Sequence, residues 1–263
     1  GDLGASGSYL TFVAENLSLN ITGEGNDAYL NNTPTAATVT LEGSSANGDI
    51  RYSQTGANLN VGAVTGGAST GDGLTVGTGA IFLSGSVVDL DIDSAVSASG
   101  GSFSIAGVTT SIDVDADVSV AGGSVSLSTD GAINLNAGDL IATGTGTISI
   151  TADNDTSGAG NVTIAAVGTN DDEKIRTGSG TITIGGKDVV VDDFGIISTG
   201  TVSITATGGV YSSSAADTIA DIEAGTLDIE AASVGQSSGN TVEFAATTKM
   251  DVESAGAVNI TST

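Results

Sequence analysis

Two runs of carboxylates carry the most direct chemistry in this chain. Asp89, Asp91 and Asp93 alternate with Leu90 and Ile92, while Asp113, Asp115 and Asp117 are spaced in the same way around Val114. Side chains alternate faces along a strand, so each run puts its acids on one side and its aliphatics on the other. Asp91 and Asp113 are 22 residues apart, as are Asp93 and Asp115, and Asn134 and Asn136 follow in the next interval. Carboxylates stacked about 5 Å apart repel each other. Calcium, which takes oxygen ligands, would relieve that repulsion. The pattern therefore predicts calcium ligands at Asp91, Asp93, Asp113 and Asp115. It also suits a solvated outer face whose charge opposes aggregation.

Further oxygen donors occur in loops. Asp153-Asn154-Asp155-Thr156-Ser157-Gly158 matches the opening of an EF-hand calcium loop, with Asp153, Asp155 and Ser157 as the candidate ligands. Ile164 stands where the closing bidentate acid belongs, and Asp and Asn favour plain loops on their own account. Gly23-Glu24-Gly25-Asn26-Asp27-Ala28-Tyr29 is similar to one RTX-type calcium nonapeptide, a motif that works by tandem repetition, and it occurs once.

Catalysis is poorly served. The chain has no histidine for proton transfer and no cysteine nucleophile. Lys174, Arg176 and Lys187 could neighbour Asp171, Asp172 and Asp188, which local charge pairing explains. Asp192 and Asp193 could in principle serve a glycosidase, but aromatics make up only 3% of the chain, leaving little to hold a sugar. The expectation is a protein that is not an enzyme. A net charge of −26 repels phosphate backbones and anionic lipid surfaces, so neither nucleic acid nor membrane insertion is expected. No apolar run approaches the roughly 18 residues of a membrane helix.

These residues need elements to position them. Gly180-Thr181-Ile182-Thr183-Ile184 is answered by Gly200-Thr201-Val202-Ser203-Ile204, and similar glycine-led units begin at Gly101, Gly123, Gly146, Gly160, Gly225 and Gly256. In each, two aliphatics face one way and small polar residues the other. Ile81/Leu83, Phe103/Ile105 and Val125/Leu127 recur every 22 residues; Leu90/Ile92, Ile112/Val114 and Ile133/Leu135 track beside them. Val96, Val118 and Leu140 or Ile141 form a third set. A short strand recurring at this period marks a stacked coil. The predicted fold is all-β: a parallel β-helix (β-solenoid) with three sheets and 20–22 residues per turn. About 12 turns at about 4.8 Å each give a rod of about 55 Å. Residues 80–263 form the regular solenoid. Residues 1–79 are an irregular β segment or cap continuous with it, with 22–36 and 62–73 as loops. Beyond residue 146 the longer intervals hold an extra turn, an excursion or both, and 152–160 and 168–179 read as loops.

The units Gly200-TVSITATGG and Gly225-TLDIEAASVG resemble the repeats of filamentous-haemagglutinin-type bacterial exoproteins over 80–263. That resemblance implies a right-handed coil in the shaft of a secreted surface adhesin. The expected function is an extracellular or cell-surface rod, structural or adhesive, forming a segment of a large secreted protein or a filament subunit. Its partners would be other copies of itself, the rest of a longer parent chain, or cell-surface or matrix glycans. A second reading is a ligand- or ice-binding solenoid that presents Thr181, Thr183, Thr201 and Ser203 on one outward face.

Overall fold

Glycine opens each repeat because the tiers leave no room there for a side chain. A Cβ on Gly101 would collide with the carbonyl oxygen of Gly79, one on Gly123 with that of Gly101, and one on Gly200 with that of Gly180. Each corner carbonyl points into the space where the next tier's side chain would begin. In the computed structural model, which describes residues 1–23, 25–67, 71–165, 174–213, 219–235 and 241–263, the chain winds as a β-solenoid of about 10 turns. Among the described residues there are 23 strands, all in one continuous sheet with parallel ladders, and no helix. At about 4.8 Å per tier this makes a body roughly 50 Å long.

Each regular tier contributes to three faces. The first face runs through Ala28–Asn32, Ile50–Thr55, the opening halves of Ile81–Ile92 and Phe103–Val114, then Val125–Thr129, Ile148–Thr151 and Ile182–Gly186. The second contains Asn58–Val61, the closing halves of the two 12-residue strands, Ala132–Leu135, Val162–Ile164 and Val189–Val191. The third contains Leu74–Val76, Val96–Ala98, Val118–Ala121, Leu140–Thr143 and Ile175–Thr177. In the last tiers Ile196–Ser212 and Ile222–Val234 pass through all three faces as single bent strands. The bend from first to second face uses Gly85 and Gly107, at φ +118° and +78°, a region that L side chains rarely adopt.

The interior is a column of aliphatics. Ile81, Leu83, Leu90, Ile92, Val96 and Ala98 of one tier lie beneath Phe103, Ile105, Ile112, Val114, Val118 and Val120 of the next, all buried. Burying one such side chain stabilises the fold by about 1.5–3 kcal/mol. Near the first tiers the column turns polar: Tyr52 is buried, its hydroxyl donating to Gln54 Oε1 at 2.7 Å and accepting from Asn32 Nδ2 at 2.9 Å. Gln54 Nε2 then donates to the corner carbonyl of Gly56 at 3.0 Å, so each member of the network has a partner.

The tier count is lower than the sequence spacing predicts, because the long intervals hold excursions and no extra turn. Between Thr147 and Thr181 the chain visits each face once, in Ile148–Thr151, Val162–Ile164 and Ile175–Thr177. Two glycine-led units also sit on a different face from the others. The Gly160 unit pairs Val162 with Ile133 on the second face, and Val258 bridges Val234 there, while the final first-face strand pairs Lys249 with Thr226. Segment 22–36 contains the strand Ala28–Asn32, held between Leu10–Phe12 and Ile50–Thr55. Segment 168–179 likewise contains Ile175–Thr177, which cross-tier pairing with Leu140–Thr143 holds extended despite its polar flanks. Leu140, not Ile141, takes the inward place opposite Val118.

Candidate functional site

On the first face, the outward positions form columns of hydroxyls. Ser126 pairs with Ser149, Ser149 with Thr183 and Thr183 with Ser203, so Thr183 and Ser203 are neighbours in adjacent tiers. The same register sets Thr181 beside Thr201, and Thr201 pairs with Thr226. Thr181 and Thr183 are exposed, and Thr201 and Ser203 are half-buried. Ser124 and Thr147 share a hydrogen bond of 2.8 Å along the neighbouring stretch. The structure thus brings all four hydroxyl candidates together on one surface. The columns end in charge, at Asp228, Asp251 and Lys249.

The carboxylates lie on the second face in the expected register, Asn60 over Asp91 over Asp113 over Asn134. Neutral donors are interleaved among them. Ser111 Oγ lies 3.1 Å from Asp89 Oδ1 and 3.0 Å from Asp113 Oδ2, and can donate to either. Asn134 Nδ2 donates to Asp113 Oδ1 at 2.9 Å, and Asn60 Nδ2 to Asp93 Oδ2 at 2.7 Å. Asp91 sits in the middle of the ladder. Partial burial pushes its carboxyl above the usual range, and the charges of Asp113, Asp93, Asp89 and Asp115 push it the same way. Among the described residues, no three acidic side chains are grouped so as to hold a metal ion.

The loop candidates are largely occupied by their own backbone. Asp153 adopts φ +55° and turns its carboxylate back into the loop, accepting from Ser157 Oγ at 3.0 Å, the Gly158 amide at 2.8 Å and the Ala159 amide at 3.3 Å. Its burial raises the carboxyl pKa, but these donors outweigh that and leave it lowered. Asp155 accepts from the Ser157 amide at 3.0 Å. In the RTX-like stretch, Asp27 accepts from the Asp49 amide and the Tyr29 hydroxyl, and Glu24 lies outside the described residues. Lys174 is buried, donating to Asp139 at 2.8 Å and to the Ala137 carbonyl at 3.0 Å. Asp188 accepts from the Gly209 amide, and Asp171 and Asp172 fall outside the described residues.

One surface cluster escaped the sequence reading. The first-face register places Tyr29 beside Arg51 and Arg51 beside Phe82, and Leu10 opposite Leu30 sets Tyr9 at the head of the same outward column. The Tyr9 and Tyr29 rings meet edge to face, 5.8 Å apart at 82°. The Arg51 guanidinium lies 3.9 Å from the Phe82 ring centroid and 5.9 Å from that of Tyr29, and pairs with Asp49 at 2.8 Å. A groove of 280 Å³ beside this column is lined by Tyr9, Asn31, Ser53 and Ser84. The sequence signal was available: bulky planar residues at outward places that elsewhere hold serine or threonine.

No protein-family model matches the chain, and neither curated proteins nor solved structures match it.

Proposed function

We infer that this solenoid serves as a structural or adhesive rod on an extracellular or cell-surface assembly. The observation that carries this reading is the unbroken parallel ladder over about 10 tiers around a filled aliphatic core. Every tier is held to its neighbours along three faces, so the body resists bending while offering long outward columns for contact. Repeat bodies of this kind commonly use extended surfaces for binding. The resemblance of Gly200–Gly209 and Gly225–Gly235 to filamentous-haemagglutinin-type repeats supports the same role. Copies of this chain or further tiers of a longer one are fitting partners, since apolar residues at both ends, Leu10 and Val258 among them, are exposed. The test is antibody labelling of intact and lysed cells of the source organism. Labelling of intact cells is expected, and signal only after lysis would remove the reading.

A second reading follows from the hydroxyl columns at Thr181, Thr183, Thr201 and Ser203. Regularly spaced hydroxyls on a flat face suit an ordered ligand surface such as ice. Thermal hysteresis of concentrated protein, abolished by Thr183→Lys, is its expected sign; freezing indistinguishable from an inert protein at the same concentration retires it.

A further inference from the structure

We propose that the groove beside the Tyr9–Tyr29–Arg51–Phe82 column is a binding site for a short stretch of neutral oligosaccharide. The proposal deepens the adhesive reading and rests on it, since it names the ligand class that the rod would contact.

Three features point to that ligand. The first is the planar wall. Aromatic residues are scarce in this chain, yet Tyr9, Tyr29 and Phe82 occupy one outward column, with Arg51 packed between two of them. Tyr9 is 39% exposed, so its ring is free to cover an apolar surface. Tyr29 and Arg51 hold it in place: Tyr29 meets the Tyr9 ring edge-on, and its hydroxyl is anchored on Asp27 at 3.0 Å.

The second feature is the opposite wall. Asn31, Ser53 and Ser84 pair in consecutive tiers and form a column two residues along from the aromatic one. They present an amide and two hydroxyls at intervals of about 4.8 Å along the rod. Such groups both donate and accept, as the hydroxyls of a sugar do. An apolar ring wall facing a row of neutral hydrogen-bonding groups fits a pyranose, whose ring faces are apolar and whose edges are polar.

The third is charge. Arg51 is neutralised by Asp49, and the carboxylates of Asp27 and Asp49 hold backbone amides of Asp49 and Ala80. No unpaired cation is left in the groove to attract a sulfate or carboxylate, and the chain's net charge of −26 repels anionic polymers. A neutral glycan meets no such barrier. The groove's 280 Å³ lies at the small end for ligand sites, which fits a short stretch of sugar rather than a large folded partner.

The test uses the intact chain with cellohexaose, mannohexaose and chitohexaose as neutral probes and a heparin hexasaccharide as the anionic one, read by saturation-transfer NMR and tyrosine fluorescence. Binding of at least one neutral probe is expected, weakened about tenfold or more by Tyr9→Ala and by Asn31→Ala. Ser126→Ala, on the same face outside the groove, should bind as the parent does. Thermal melts of each variant separate lost binding from lost folding. No neutral probe bound at millimolar concentration, binding of heparin alone, or binding untouched by Tyr9→Ala would each overturn the proposal. Cell-surface labelling is independent of all these outcomes. A surface-exposed rod without sugar binding removes only the groove; sugar binding by a chain found inside cells removes the adhesive role.

Discussion

Asp221 and Glu243 lie against each other in adjacent tiers, both buried, with the Glu243 amide donating to Asp221 Oδ2 at 2.8 Å. Ser212 Oγ donates to the other Asp221 oxygen at 3.0 Å and Thr241 Oγ1 to Glu243 Oε1 at 2.9 Å, while Glu243 Oε2 has no hydrogen-bond partner. Two carboxylates in such a place cannot both ionise without penalty.

A pH dependence follows. Burial pushes Asp221 up to about 7, the charge of Glu243 adds to this, and the hydrogen bonds from the Glu243 amide and Ser212 offset only part of it. An unfolded chain would ionise Asp221 near pH 4. Between pH about 4 and about 7 the folded state therefore holds a proton that the unfolded state has lost, so stability falls as pH rises through this window and levels off above it. Asp221→Asn should flatten that slope. Urea midpoints measured at pH 5 and pH 8 check this, and equal slopes in parent and variant would refute it.

Ile182 points into the core and Thr183 out of it, although they are adjacent in sequence. Ile182→Asp places an unpaired charge among Ile148, Val202 and their neighbours, and should abolish cooperative melting of its tier or the whole chain. Thr183→Asp should shift stability by only about 0.5 kcal/mol. Differential scanning calorimetry of the pair distinguishes them, and similar losses in both would mean the strand is not seated as described.

Gly123 sits over the Gly101 carbonyl. Gly123→Ala should cost about 1–3 kcal/mol, because the added methyl forces two hydrogen-bonded tiers apart. Gly122→Ala, next to it but facing open space, tests another cost: its φ of +76° strains any L side chain. Both should lower the melting temperature, Gly123→Ala the more. An unchanged melt in Gly123→Ala would show that the corner has slack.

Asp91 is penalised both by burial and by its neighbours, so Asp91→Asn should raise stability, by up to about 1 kcal/mol for so solvent-accessible a group. Sodium chloride should act in the same direction by screening. Calcium is expected to do no more than sodium chloride at equal ionic strength. A calcium-specific rise in melting temperature that disappears in Asp91→Asn would instead identify the ladder as a coordination site.

Much of this architecture could be read from the amino-acid order. Aliphatics two apart, small polar residues between them and a glycine ahead of them are local consequences of a strand that buries one face and turns a tight corner. Where the interval stayed at 22 residues, as from Ile81 to Phe103 to Val125, even the cross-tier partners were legible. The Asp91–Asp113 and Thr183–Ser203 pairs followed from the same regularity.

What the tertiary structure alone decided is where the interval changes. Tyr9, Tyr29, Arg51 and Phe82 are separated by 20, 22 and 31 residues, yet they share one column because loops of different length return the chain to the same face. The same effect moved the Gly160 and Gly256 units to the second face and brought Asp221 against Glu243. Alternation along a strand is set by backbone geometry and is written in neighbouring residues. Register between tiers is set by main-chain hydrogen bonding across a loop, and nothing in the loop's own pattern states how far around the coil it travels.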